Sequence, residues 1–459
     1  MIVSHPLTPE ERKASQKNYF RFGLINGFSY MCLGETIIVL IAVQIGMPDV
    51  LITFVGAMLF IGFLLLPLGV RQTAKTGAAQ SQATFWVCRN ISALLVAVSV
   101  IISRFIPVVA WGLLLFAALM FYGFRAAGVV LSQPLIGEIT NDDDRSQVVG
   151  NATGAFYLSG VVALLMVSFL LKISDSIWIL CGIVVAGASM GVTASRFIRA
   201  ICETDIIRQT AQKPLMPQWN KVKSNPMIRQ LLLAGFSRNI AVILMVPASV
   251  LFLKKGYGFS DTTAVLFSAA QLCASFSFSF LSGKMVAKKG PRAILITSIF
   301  LGLLVSVLWI FAPLSGLVIP CLLSITVFFL CGTMVALGDN ANTCYFLMAI
   351  PKEQQIAGAV ATNVIQGAGA GVAGMVIAGG LMWLAKYFTP SAYDLLQNYV
   401  AADQQQILTY KLFFVMTLPV HFFALYQSSR LKTIIKTFRE EHGDEGVEKT
   451  VESGRKTAH

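Results

Sequence analysis

The sequence predicts an all-α membrane protein of about twelve transmembrane helices arranged as two six-helix pseudo-repeats. Three observations carry this reading. The chain is too poor in charge to face water, its uncharged runs are long enough to cross a bilayer, and a short stretch of the first run recurs in the second half. Of 459 residues, 56% are hydrophobic and 12% charged, with a mean hydropathy of +0.72. Average soluble domains carry about 25% charged residues. The formal net charge is +13, but the basic residues sit in short segments between apolar runs. They form no stripe interleaved with exposed aromatics, so a nucleic-acid partner is excluded in favour of loops that set topology.

A span needs about 20 mainly apolar residues. Residues 50–70, 105–124, 146–171, 176–195, 262–283, 293–338 and 355–385 contain no Asp, Glu, Lys or Arg. The run 293–338 is long enough for two spans, and Ala312-Pro-Leu-Ser-Gly316 splits it. With the interrupted runs added, the first six spans fall near 20–42, 48–70, 83–105, 107–132, 148–172 and 175–196. The second six fall near 228–252, 260–283, 291–312, 315–345, 354–386 and 406–428. The chain therefore divides into a cytoplasmic segment 1–19 with no cleavable leader, a bundle 20–196, a central loop 197–227, a bundle 228–428 and a charged tail 429–459. Arg196-Phe-Ile-Arg-Ala-Ile-Cys-Glu203 is expected to lie as an amphipathic helix on the membrane surface.

Lys and Arg orient the spans. With both termini in the cytoplasm, 26 of the 35 fall on the inner side, and the short loop Lys284 to Arg292 is the most telling. The expected location is the cytoplasmic (inner or plasma) membrane. Eight cysteines are scattered singly without a CxxC, which indicates neither a disulfide framework nor a metal site.

Leu24-Ile-Asn-Gly-Phe-Ser29 in span one resembles Leu232-Leu-Ala-Gly-Phe-Ser237 in span seven, and the same offset sets Val148 of span five against Ile356 of span eleven. Parallel six-span halves joined by a long inner loop are a transporter plan. Gly283-Lys-Met-Val-Ala287-Lys-Lys-Gly290-Pro-Arg292, and the weaker Gly69-Val-Arg71-Gln-Thr-Ala-Lys75-Thr-Gly77, resemble the loop signature of the major facilitator superfamily, each without its usual acid. The antiporter-type Gly-Pro motif of span five is absent from Gly150 to Gly160. The resemblance implies that spans one, four, seven and ten line a central cavity, with spans five and eleven moving beside them. The glycines 367, 369, 371, 374, 379 and 380 of span eleven suit close helix approach.

A charge at the centre of a membrane helix costs about 2.5–3.5 kcal/mol even on mild scales, so such residues point to function. Glu35 is flanked by thirteen uncharged residues on either side. A carboxyl there that alternates between protonated and paired states is a proton-coupling site. Arg125 of span four is its expected partner, as in the sugar porters that the family resemblance brings in. Tyr122, Arg125 and Ser132 give that helix one polar face. Arg238 of span seven, beside Asn239, is the expected solute anchor, since arginine forks onto carboxylate or phosphate. Its repeat counterpart is Tyr30. Thr333, Asn340 and Thr343 share one face of span ten, and Asp339 is read as marking the cytoplasmic mouth. Arg89 and Lys411 are read as snorkelling. Asp142-Asp143-Asp144 suggests a metal site and a membrane transferase, but no second acidic or histidine loop answers it, and acids there complement a helix N-terminus.

The expectation is a monomeric secondary transporter, not an enzyme and without cofactor or metal. It carries a small polar, anionic solute by alternating access, with H+ and membrane lipid as further partners. Alternatives within the fold are an uncoupled facilitator or exchanger and a lipid flippase. A transporter-like sensor or scaffold is the alternative from another class.

Overall fold

Backbone polar groups in hydrocarbon must be satisfied within their own segment, and this chain does so with helices. The computed structural model describes residues 2–174, 176–259, 261–316, 318–396, 401 and 404–433. The side chains of residues 35, 36, 49, 50, 53, 56, 57, 60, 216 and 261–266 lie outside that description. Ten described helical segments are long and apolar enough to cross a membrane. In the first half these are span one (Pro9–Gln44), three (Ala78–Ser103), four (Pro107–Ile139), five (Arg145–Ile173) and six (Ile177–Arg199). In the second they are span seven (Pro226–Gly256), nine (Pro291–Ile310), ten (Val318–Ala349), eleven (Lys352–Leu396) and twelve (Gln405–Ser429). Span two, residues 49–76 in three helical pieces, and span eight, Asp261–Lys289, complete six in each half.

Several spans are interrupted where the uncharged runs gave no warning. Gly34 adopts an extended backbone (ψ 167°) and separates Pro9–Leu33 from Glu35–Gln44 within span one. Span two passes through a 3-10 turn at Gly62–Leu65, and span eleven through a π-helical turn at Asn363–Gly369. A π turn commonly marks a functional position because it displaces the backbone hydrogen-bond pattern.

The side on which span one begins and span twelve ends is here called proximal, and the opposite side distal. Asn18 donates to the Ala200 carbonyl at the foot of span six, and Arg292 donates to the Ser429 carbonyl at the foot of span twelve. The halves meet mainly where span five crosses span eight and reaches span ten. At that crossing a side chain at Gly150 would stand 2.6 Å from the Ser279 carbonyl oxygen, and one at Gly283 would stand 2.6 Å from that of Ser146. Only glycine permits so close a backbone approach. In span eleven, Gly374 rests against Ile243 of span seven, whereas a side chain at Gly379 or Gly380 would meet nothing within 4 Å. The close approach expected of that glycine series therefore holds over part of it.

The central connection departs from the sequence expectation. Residues 196–199 continue span six, and Glu203–Thr204 forms a short strand paired in parallel with Ile2–Val3. Helices Ile206–Gln212 and Leu215–Ser224 follow. The surface helix is displaced because the buried Glu203 carboxylate accepts the Ala78 and Ala79 amides at 2.9 and 3.0 Å, capping span three. These amides are among the donors that a helix N-terminus leaves free. Burial outweighs these bonds and pushes the Glu203 carboxyl up to about 7. Across the halves, Glu138 at the foot of span four pairs with Lys352 at 3.5 Å.

Candidate functional site

In the first half, spans one, three, four and five enclose a cavity of about 220 Å³. Arg125 projects into it from span four with its guanidinium 5.1 Å from the Tyr30 ring centre. Tyr30 in turn packs on Phe156 of span five at 5.7 Å. The cavity also receives Arg89 of span three, which is 1% exposed. The snorkelling read from the sequence is therefore corrected. The helix of span three starts at Ala78, so Arg89 lies eleven residues in, roughly 16 Å from its end. Its guanidinium lies 5.1 Å from the Trp86 ring and 5.4 Å from that of Phe121. Nη2 donates to Ser29 Oγ at 3.2 Å and, more weakly, to Asn90 at 3.4 Å, while Nε–H has no acceptor among the described residues. Among the described residues the cavity lining contains no Asp or Glu, and neither arginine has a carboxylate at ion-pair distance.

The second half treats its arginine differently. Arg238 Nη1 stands 2.8 Å from Asp339 Oδ1 on span ten, with the guanidinium buried and the carboxylate half exposed. Asn239 Oδ1 and the Val335 carbonyl accept its other bonds at 3.3 Å each. Gly338 makes the approach possible, since a side chain there would collide with the guanidinium. Asp339, read from the sequence as marking a mouth, therefore faces Arg238. Asn239 also donates to the Gln366 carbonyl at 2.6 Å, and Asn342 to the Gln366 side chain at 2.9 Å. The arginine's surroundings are thus tied to the π turn of span eleven.

Tyr157 of span five packs on Phe156 at 5.6 Å and lies within electrostatic reach of Tyr30, Asp339 and Arg238. Tyr157 carries no signal in the sequence, because a tyrosine in an apolar run reads as core. Of the remaining candidate residues, Tyr122 is buried beside Gly62 of span two. Thr333 bonds the Phe329 carbonyl of its own helix, and Asn340 donates to Ser279 and Ser282 of span eight. These three are buried and do not line the first-half cavity. Glu35 opens the distal part of span one, and its side chain lies outside the described residues. Lys411 is half-buried and donates to the Ile310 and Ala312 carbonyls at the distal end of span nine, where snorkelling was expected. Asp142 pairs with Arg145, and Asp144 accepts from Gln16, so two of the three clustered acids serve as ties on the proximal side.

The sequence profile described as Major Facilitator Superfamily matches residues 20–374. No curated protein matches the chain by sequence. Among solved structures, a bacterial homologue of the iron transporter ferroportin in the outward-facing state has a TM-score of 0.66 at 12% identity, covering 91% of this chain and 100% of that one. The proton:xylose symporter XylE has a TM-score of 0.63 at 12% identity, covering 94% and 98%. The human organic anion transporter MFSD10 has a TM-score of 0.62 at 14% identity, covering 90% and 100%. At these identities the likeness speaks for the fold alone.

Proposed function

The chain belongs to the major facilitator superfamily and is a multi-pass membrane transporter of the secondary type, and from that premise we propose that its solute is a small polar anion. The observation that carries this reading is that each half sets arginine among polar partners inside the bundle: buried Arg89 and partly buried Arg125 in one, buried Arg238 in the other, with Tyr157 in electrostatic reach of Arg238 and of Tyr30 beside Arg125. Alternating access would hand the solute between these clusters, with the bundles 20–196 and 228–428 as the moving bodies of a monomer. Tyr30 and Asn239 border the two arginine clusters and would contribute hydrogen bonds to it. The basic proximal side would face the cytoplasm of a cell whose cytoplasmic membrane holds the protein.

Transport is proposed to be coupled to protons at Glu35, the first residue of the distal helix of span one. A carboxyl at a helix N-terminus is stabilised when ionised, so release and uptake of its proton would respond to movement of that helix end. Arg125 would tune this equilibrium from span four. The test is uptake of carboxylate and phosphate-ester metabolites into proteoliposomes under an imposed proton gradient. Wild type should concentrate one of them, and Glu35→Gln should only equilibrate it. Concentration by Glu35→Gln would end the assignment to Glu35 and turn attention to Asp339, whose carboxylate is half exposed.

A further inference from the structure

Resting on the anion reading above, we propose that recognition begins inside one half, where Arg89 and Arg125 together hold a single oxyanion group, a carboxylate or a phosphate, without help from Arg238. Both guanidinium groups line one cavity of about 220 Å³ whose walls carry no acid among the described residues. Two like charges lining one cavity repel, and Arg89, 1% exposed, has also lost its hydration. An anion between them turns both terms favourable. The rings of Trp86 and Phe121 lie 5.1 and 5.4 Å from the Arg89 guanidinium, and that of Tyr30 lies 5.1 Å from the Arg125 guanidinium. The N–H edge of a guanidinium is the edge that binds a carboxylate or phosphate two-pronged. Arg89 Nε–H, buried with no acceptor among the described residues, is the donor that such a group would satisfy. Asn26 and Ser132 line the same cavity and supply neutral polar contacts.

The cavity has room for a charged head, and the rest of the solute would extend toward Tyr157 and the second half. Arg238 cannot stand in for this pair, because Asp339 already neutralises it.

The test is calorimetric titration of the purified full-length protein at low salt with inorganic phosphate and with succinate, beside melting curves. Wild type should bind at least one probe, and which one separates a phosphate head from a carboxylate head. Arg89→Met and Arg125→Met should each weaken binding by about tenfold or more, the value of one charge-assisted hydrogen bond. Lys411→Met should not change it. Arg89→Met without ligand should melt higher than wild type, since it removes an unpaired buried cation, whereas a structural arginine would make it melt lower. If Arg89→Met does not fold, Arg89→Lys keeps the charge and loses the fork, and should show the same fall in affinity. Unchanged binding in these variants, or no binding of either probe to wild type, overturns the proposal. Binding that depends on Arg89 in a protein that transports nothing would leave this site standing and sink the transport reading instead.

Discussion

Arg238 in the second half has its carboxylate at 2.8 Å, while Arg89 and Arg125 in the first half share a cavity with none among the described residues. The same contrast recurs at the proximal loops. Gly77 and Gly290 adopt nearly the same left-handed backbone, φ +84° and +78°, immediately before spans three and nine. In the first half the freed amides of Ala78 and Ala79 take a carboxylate from the distant Glu203. In the second, Pro291 has no amide to satisfy, and Arg292 instead ties span nine to the foot of span twelve. The second half pairs its central arginine with a carboxylate of its own. The first leaves its central cations open and borrows its capping acid from the connection between the halves. A half with unmet charge is the half that gains most from a ligand, whereas a half with paired charge is better suited to switching.

Opposite signs in the two arginine clusters would sharpen this contrast. Asp339→Asn should strand a buried guanidinium and cost about 3 kcal/mol, at the low end for broken buried pairs because the carboxylate is half exposed. Thermal melting should show most of that loss regained in Arg238→Met with Asp339→Leu. A gain in stability from Asp339→Asn alone would erase the distinction from Arg89→Met.

The next effect in size belongs to Glu203. Its carboxyl is held near 7 instead of 4.5 by burial, so the native state resists its ionisation. The wild type should therefore lose stability as pH rises from 4.5 through 7, by an amount on the order of 2–3 kcal/mol. Glu203→Gln should lack that slope, and its melting temperature relative to wild type should climb between pH 5 and 8. Parallel curves would mean that the cap is not buried in solution. The smallest effect is expected for Lys352→Ala, about 1 kcal/mol, since Lys352 is half exposed although Glu138 is not. It should also raise labelling of cysteines placed at the proximal seam between the halves. Unchanged labelling would remove the pair from any role in closure.

The number and placement of the spans were legible because charge is excluded from hydrocarbon, so each uncharged run marks its own crossing. Arg125 and Arg238 were legible for the same reason. Arg89 was not, because a span drawn from hydropathy at residue 83 puts it near an end, while the helix that forms from Ala78 carries it to full burial. The pairing of Arg238 with Asp339 depends on the register of two helices about a hundred residues apart, which no local pattern encodes. Glu203 read as part of an amphipathic helix because its partners are backbone amides, and amides have no sequence signature. The break at Gly34 was hidden within an apolar run, where a lone glycine is ordinarily tolerated.

The pairing of Ile2–Val3 with Glu203–Thr204 joins segments about 200 residues apart in the chain. At synthesis rates of about 5–20 residues per second, Ile2 and Val3 wait on the order of 10–40 s for their partners, until all six spans of the first half have been made. Only then can Glu203 reach the Ala78 and Ala79 amides. The small parallel strand pair is thus a completion mark for the first bundle, formed after its helices are in place and just as the second begins to emerge.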